Sequence, residues 1–343
     1  MNPELTIPAG MTQAPTSDPL QSGPEFMHGI RVLVTGANGF VGRHVAAYLA
    51  DQGCLLTLAV RNTCDCGPAG RRIIAIGDLS SATQWSNALD GVTAVVHTAG
   101  LAHHIGSGRP DDADYFRVNS GGTESLARDI VRNATPILIN LSSIAVYSPD
   151  LGRDRPLTEA SDCMPETAYG RSKLEAEQVV AALESPARSA IQLRPPLIYG
   201  DGARGNWPRF ETLAAGPLPM PSIAPNNRRS VLGIQNLCDA IWCAIKFAGN
   251  APVSGIFNIA DDGYISTDDL ARWVRQRRHR RFGIVPGTAV PIQHVGKALG
   301  YQETLAKLTG DLMIDTAKFR GTFDWKPRHT TREGLLQGKS GRR

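Results

Sequence analysis

The sequence predicts an α/β protein: a doubly wound parallel sheet carrying a smaller α/β C-terminal domain. Three observations predict it. Short apolar runs alternate with helical patterns through the first half of the chain, which implies parallel strands with covering helices. Glycines 36, 39 and 42 stand where the first such strand meets its helix. The length of 343 residues corresponds to about two domains at roughly 150 residues each. With 42% hydrophobic and 20% charged residues the chain reads as globular, and 35 Gly with 23 Pro favour many short elements over long coiled helices.

Residues 1–27 read as a flexible leader. Through residue 29 there is no Lys or Arg, only Glu4, Asp18, Glu25 and five prolines. A cationic start and a continuous apolar stretch, both needed for a secretory signal, are lacking, so a cytoplasmic location with no membrane insertion is expected. Ordered sequence begins near His28. Ile30–Thr35 reads as a strand, Gly36–Gly42 as a turn, and the residues up to Asp51 as a helix with apolar Val45, Tyr48 and Leu49. In such a joint Gly36 permits the tight turn, Gly39 lets a pyrophosphate approach the backbone, and Gly42 lets the helix pack closely on the strand. Strands are expected at 55–60, 73–76, 94–97 and 137–141, and helices near 81–89 and 112–133. A sheet of this kind gathers its ligand at the strand carboxyl ends. Those ends read Arg61-Asn62, Gly77-Asp78-Leu79, Thr98-Ala99-Gly100 and Ser142-Ser143. Cys238–Phe247 reads as a core helix.

Downstream, Tyr169 and Lys173 precede a helical run and share one face at a spacing of four. A phenol titrates near ~10 in water, and an ammonium beside it is expected to lower that value, making a better proton carrier near neutrality. The net charge of +4 calls for neither nucleic acid nor membrane. It conceals an acidic leader, six arginines between Arg272 and Arg281, and a basic tail at 337–343. The arginine run reads as a solvated helix end, a polyanion contact being the alternative. Of Cys54, Cys64, Cys66, Cys163, Cys238 and Cys243, only Cys64 and Cys66 are close in sequence, and their one-residue spacer matches no common zinc or redox motif. Reduced thiols and no metal site are expected.

Taken together, Thr35-Gly-x-x-Gly-x-x-Gly42, Asp78, Thr98-Ala99-Gly100, Asn119, Ser142-Ser143-Ile-Ala-Val-Tyr147 and Tyr169-x-x-x-Lys173 occur in the order and spacing seen in short-chain dehydrogenases. The chain resembles the extended branch, the NAD-dependent epimerase/dehydratase family, over about residues 28–336. The resemblance implies a Rossmann-like fold. Its NAD(P)-binding domain would span 28–193, with 230–260 returning to it, and its substrate domain 194–229 and 261–336. It also implies roles. Tyr169 would transfer the proton. Lys173 would bind the nicotinamide ribose and tune the phenol. Ser143, four residues before Tyr147 and so preferred to Ser142, would hold the reacting carbonyl. Asn119 would support a relay water or act as a helix-stabilising amide. Gly36, Asn38, Gly39, Phe40, Val41, Gly42, Arg61, Asp78, Leu79, Ala99 and Gly100 would line the cofactor, with Asp78 at the adenine or in an ordinary turn.

Arg61 departs from the family, whose NAD enzymes usually place Asp at the end of the second strand. A guanidinium there suits a 2′-phosphate, so the cofactor is NAD or NADP, tilted towards NADP. On the substrate side, Asn206 and Arg229 resemble contacts to a nucleotide-sugar diphosphate, which needs multidentate donors. Asp315 reads as a helix N-cap before a substrate contact. The Pro195-Pro-Leu-Ile-Tyr-Gly200 and Asn226-Asn-Arg-Arg-Ser230 segments look most like the bacterial polysaccharide subgroup, which includes UDP-glucose 4-epimerases and reductases of UDP-4-keto-6-deoxy-N-acetylhexosamines. Leu197 stands where galactose epimerases commonly have Asn. The expectation is therefore an oxidoreductase acting at carbon 4 of a UDP-sugar, the 4-keto reductase ahead of the 4-epimerase, working as a homodimer. A dinucleotide-sensing regulator without catalysis is the alternative of another class, and such proteins often lack the Tyr and Lys retained here.

Overall fold

A computed structural model describes residues 29–63, 67–102, 110–148, 150–285 and 309–337. The leader, Cys64, Cys66 and residues 338–343 lie outside the described residues. The chain runs β1 (Arg31–Thr35), α1 (Phe40–Asp51), β2 (Leu55–Val60), β3 (Arg72–Ala75), α2 (Ser86–Leu89), β4 (Ala94–His97), α3 (Asp112–Tyr115), α4 (Gly122–Arg132), β5 (Ile137–Leu141), α5 (Ala168–Ala181) and β6 (Ser189–Arg194). It continues through β7 (Leu197–Tyr199), α6 (Asn206–Ala214), β8 (Met220–Pro221), β9 (Val231–Gly233), α7 (Ile234–Asn250), β10 (Gly255–Asn258), α8 (Thr267–Arg277), β11 (Ile284–Val285), α9 (Ala317–Phe323) and α10 (Thr331–Gln337).

Seven strands form one sheet in the order β10-β6-β5-β4-β1-β2-β3, every neighbouring pair parallel. Parallel strands need crossovers, and the crossovers bury both faces. Along β1 the alternation is visible residue by residue. Val32 and Val34 enter a cluster with Val45 and Leu49 of α1 and Leu237, Ile241 and Ile245 of α7. Leu33 enters the opposite cluster with Leu126 and Ile130 of α4 and Val180 of α5. The order reverses between β1 and β4, and the carboxyl ends of the strands at such a reversal are the place where doubly wound sheets bind ligands.

Two helical expectations change in detail. The stretch expected at 81–89 is helical only from Ser86, because Ser80–Thr83 is a turn closed by Thr83 N–H on the Ser80 carbonyl. The stretch expected at 112–133 is broken by a wider turn, Phe116–Gly121, which carries Asn119 into the interior. Insertions of this kind concentrate at functional sites. The helix expected at Cys238–Phe247 is the central part of α7.

The arginine run was expected as a solvated helix end, and the structure corrects this for two of its members. Arg275 is 2% exposed; its guanidinium donates to the carbonyls of Ala214, Gly216, Leu218 and Phe282. Arg277 is buried against Asp201. The α8 residues before the run are acidic and those at its end basic, as the helix dipole favours, but tertiary carbonyls take the charge that water was expected to take. A third cluster, with Tyr199, Trp207, Phe210, Leu270, Val274 and Leu335, packs around this knot. Among the described residues, Cys54, Cys163, Cys238 and Cys243 are free thiols, no helix is long and apolar enough to cross a membrane, and no three His, Cys, Asp or Glu side chains group as a metal site.

Candidate active site at the carboxyl ends of β1, β4 and β5

The glycine turn is built by close approach. Gly36 has φ +64°, and a Cβ there would sit 2.8 Å from Ala99 Cα at the end of β4. Gly39 is the N-cap of α1 and its N–H donates to Gly36 O at 2.8 Å. A Cβ on Gly42 would lie 2.3 Å from Gly36 O. Side chains are thus excluded from the turn, and none caps α1, so the first amides of the helix are open to an anion. This bare cradle fits the diphosphate of a dinucleotide. Asn38 is exposed at its tip, with Phe40 and Val41 half-buried behind it.

Beneath the cradle lies a directed hydrogen-bond chain that the sequence did not reveal. Ala99 N–H donates to Thr35 Oγ1 at 3.1 Å, and Thr35 Oγ1 lies 2.8 Å from His97 Nδ1. His97 Nε2 lies 3.1 Å from Thr123 Oγ1, which donates to the Asn119 carbonyl at 2.6 Å. Because Thr123 spends its proton on Asn119, Nε2 must carry the imidazole hydrogen and Nδ1 must accept from Thr35. The ring is neutral; burial, and Lys173 nearby, push it down to about 3. Thr35 and His97 are partners in the β1–β4 register. That they end their strands was the only signal in the sequence.

Asn119 is 1% exposed. Its Oδ1 accepts from Leu101 N–H at 2.8 Å, and its Nδ2 donates to Leu101 O and to Ser172 Oγ at 3.0 Å. Ser172 in turn donates to the Tyr169 carbonyl. Asn119 therefore ties the β4 loop to α5. Gly100 leaves room for it, since a Cβ there would meet Asn119 Oδ1 at 2.8 Å and Lys173 Nζ at 3.5 Å.

Thr167 caps α5 by accepting from Gly170 N–H, so Tyr169 lies in the first turn. A Cβ on Gly170 would be 2.2 Å from Ala145 O, so only glycine lets this turn press onto Ser143–Val146. Through that contact the Tyr169 hydroxyl hydrogen-bonds Ser143, and the Tyr115 ring stands edge-on at 6.0 Å. Ser142 turns the other way, donating to buried Glu177 at 2.5 Å; Ser143 is thus the serine that faces Tyr169. Lys173 Nζ donates to Leu141 O at 2.9 Å.

The expected lowering of the phenol by Lys173 is not what these surroundings produce. Burial raises the Tyr169 hydroxyl above its ordinary value, the Ser143 hydrogen bond pulls it partly back, and Tyr115 adds to the rise. The Lys173 ammonium is committed to Leu141 O and is itself pushed down to about 8 by burial, with Glu177 opposing.

The remaining candidates lie farther out. Arg61 Nε pairs with Asp78 at 3.1 Å across the ends of β2 and β3, both side chains well exposed. The Leu79 side chain is packed in the core against Gly122, which leaves only its backbone for a ligand. Asn206 begins α6 after Gly205, whose φ is +75°. Arg229 bridges Ile265 and Leu312 through its backbone and donates from Nη1 to Gly310 O; burial pulls it down to about 10, with Asp311 opposing. Leu197 opens β7, half-buried. Asp315, expected as the N-cap, stands one residue ahead of it: Thr316 is the N-cap of α9, and Asp315 accepts from Ala317 N–H in a turn that leads into the helix.

A family model described as the NAD dependent epimerase/dehydratase family matches residues 32–260. A UDP-glucose 4-epimerase of Vibrio cholerae is 28% identical over 310 residues, covering 89% of this chain and 93% of the relative. The N-acetyl-alpha-D-glucosaminyl-diphospho-ditrans,octacis-undecaprenol 4-epimerase of Escherichia coli O157:H7 is 29% identical, covering 81% of each chain. Among solved structures, UDP-glucose 4-epimerase from Brucella ovis in complex with NAD superposes with a TM-score of 0.71 at 21% identity, covering 90% of this chain and 97% of that one.

Proposed function

Because this chain belongs to the NAD-dependent epimerase/dehydratase family, we propose that it is a nucleotide-sugar enzyme that moves a proton and a hydride at carbon 4 of a UDP-hexose, and that it works as a 4-epimerase. The observation that carries the reading is the meeting of Ser143, Tyr169 and Lys173 beside an empty-sided glycine cradle. Similarity to the Vibrio cholerae epimerase along nearly the whole of both chains adds to it. A bound nicotinamide dinucleotide supplies a reversible hydride acceptor. Tyr169 takes the proton of the sugar's 4-hydroxyl and later returns it. Ser143 steadies the same oxygen, and Lys173 supplies the positive charge that a phenolate needs. Burial raises the Tyr169 phenol, so the phenolate that accepts this proton depends on the Lys173 charge and the Ser143 hydrogen bond to offset that burial. Asn206 and Arg229 are proposed as donors to the substrate diphosphate. A homodimer belongs to the same proposal.

NAD is the favoured cofactor. The Asp78 carboxylate beside Arg61 offsets the guanidinium that a 2′-phosphate would need and repels that phosphate. The 4-keto reductase reading retains one specific support, the apolar Leu197 opening β7 where galactose epimerases commonly have a substrate-binding Asn. The test is conversion of UDP-glucose to UDP-galactose by purified protein without added reductant, beside NAD(P)H consumption with a UDP-4-keto-6-deoxy sugar. Interconversion with NAD released on denaturation supports the epimerase; consumption of NADPH alone moves the assignment to the reductase; turnover of neither by protein that binds cofactor overturns both. Tyr169→Phe is expected to lose about 10²–10⁴ in kcat while keeping cofactor, and near-normal turnover refutes its role.

A further inference from the structure

Directly behind Ser143 and Lys173 lies a charged cluster that the proposed chemistry does not use. Glu177, one helical turn beyond Lys173, is 2% exposed, and Arg194 at the end of β6 is 1% exposed. Arg194 grips both carboxylate oxygens, Nε to Oε1 at 2.8 Å and Nη2 to Oε2 at 2.5 Å. Ser142 donates to the same Oε1, and Gln192 Nε2 donates to the Glu177 carbonyl. The guanidinium carbon stands 4.7 Å from the Tyr147 ring centroid, and Arg194 Nη1 meets no geometric hydrogen-bond partner among the described residues. Tyr147 is anchored in turn through its hydroxyl to Asn258 of β10.

Desolvating two charges costs several kcal/mol per ion, and a well-packed apolar pair serves stability as well or better. Folding alone is thus a poor reason for this pair, and its place in the site supplies another. Resting on the catalytic reading above, we propose that Glu177 is a positioning residue: held by Arg194, it clamps the Ser142-Ser143 strand end to the catalytic helix and so sets Ser143 and Lys173 against Tyr169. The clamp joins β5, α5 and β6 at one carboxylate. A loss of the clamp frees the strand end to recede from Tyr169, which slows the chemical step more than it weakens substrate binding.

The carboxylate also acts on Lys173 through space. Among the described residues, neutral His97 from β4 and Glu177 from α5 interact electrostatically with that amine; Tyr169 lies one turn before it on α5, and Arg194 from β6 is held on Glu177. Glu177 is the one that favours the ammonium, against burial. Removing its charge leaves burial unopposed, so the amine loses its proton at lower pH.

The test compares Glu177→Gln, Glu177→Asp and the double variant Glu177→Gln/Arg194→Gln, which removes both charges at similar volume and avoids leaving Arg194 alone. Two readouts are taken on protein shown to be folded by its melting transition. One is kcat and KM for UDP-sugar turnover. The other is the pH midpoint for acylation of Lys173, read by mass spectrometry, which requires no substrate. Expected for Glu177→Gln and the double variant are a fall in kcat of at least about tenfold, KM within about threefold, and a Lys173 midpoint lower by about half a pH unit or more. Glu177→Asp keeps the midpoint near wild type and loses kcat through its shorter reach. Folded charge-removed variants with wild-type kcat and wild-type midpoint overturn the clamp. If the wild-type chain turns over no UDP-sugar, the functional reading fails by itself, and the Lys173 midpoint decides the clamp.

Discussion

Gly42→Ala isolates the glycine cradle from everything else in the site. Gly42 lies inside α1, where alanine is intrinsically favoured by about 1 kcal/mol. Against that gain, the new methyl would sit 2.3 Å from Gly36 O, 2.8 Å from Gly36 C and 2.9 Å from Ala37 Cα. All three are backbone atoms, so no side chain can rotate away. Relief requires α1 to retreat from the turn by about 1 Å, and overpacking of this kind costs typically 1–3 kcal/mol. The balance is a net loss of about 0–2 kcal/mol, a fall of up to about 4 °C in Tm. The retreat also withdraws the helix amides from the diphosphate, so NAD affinity is expected to fall at least about tenfold, or 1.4 kcal/mol. Gly53→Ala serves as control: at φ +84° it is strained but has nothing within 4 Å, and it lies at the far end of α1. The assay is a melting curve and a calorimetric titration with NAD for each variant. Gly42→Ala that melts with the wild type and binds NAD within twofold of it refutes the close-approach argument.

Three further outcomes follow from the same geometry. His97 is held neutral to about pH 3 against 6.5 in an unfolded chain. The unfolded state therefore binds more protons between those values, and stability present above pH 6.5 is lost as pH falls, by about 2 kcal/mol at pH 5. His97→Gln should flatten that acid limb in urea midpoints, and an unchanged limb refutes the assignment. Arg275→Lys cannot reach the carbonyls of Ala214, Gly216, Leu218 and Phe282 together and should cost about 2–4 kcal/mol. Arg272→Ala, which removes an exposed ion pair with Asp269, should cost under about 1 kcal/mol, and equal losses refute the buried role of Arg275. Asp78→Ala frees Arg61 and should raise the NADP-to-NAD affinity ratio about threefold to tenfold; an unchanged ratio separates Arg61 from the ribose.

The strands were legible because each is a short apolar run. β2, β4 and β5 fall at 55–60, 94–97 and 137–141, as the residues predict, and β3 is one residue early because its pattern is half-exposed and weak. Glycines 39 and 42 were legible because what they must clear is the turn itself, Gly36 and Ala37; the φ of +64° at Gly36 is equally local, but its approach to Ala99 is not. Glu177, Arg194 and His97 were not. A glutamate on an amphipathic helix and an arginine closing a strand look like solvated ends, and only sheet order puts them at one carboxylate. The arginine run misled for the same reason: the carbonyls that bind Arg275 come from residues 214–218 and 282. Arg61 was readable as a charge, but its partner on the neighbouring strand decides what that charge is free to do.

The return of β10 to the sheet has a consequence for how this chain is made. β10 pairs with β6 through residues 255–258 and 191–194, and α7 covers the face formed by Val32 and Val34. On a ribosome that has released only the first two hundred residues, β6 is a bare edge and that face is uncovered, so the nascent chain presents what a neighbour could join. Truncations that end after β6 should therefore aggregate, despite carrying the glycine turn, Ser143, Tyr169 and Lys173. Expression of residues 29–200 by themselves is expected to need residues 231–258 grafted back, to restore β10 beside β6 and α7 over the sheet.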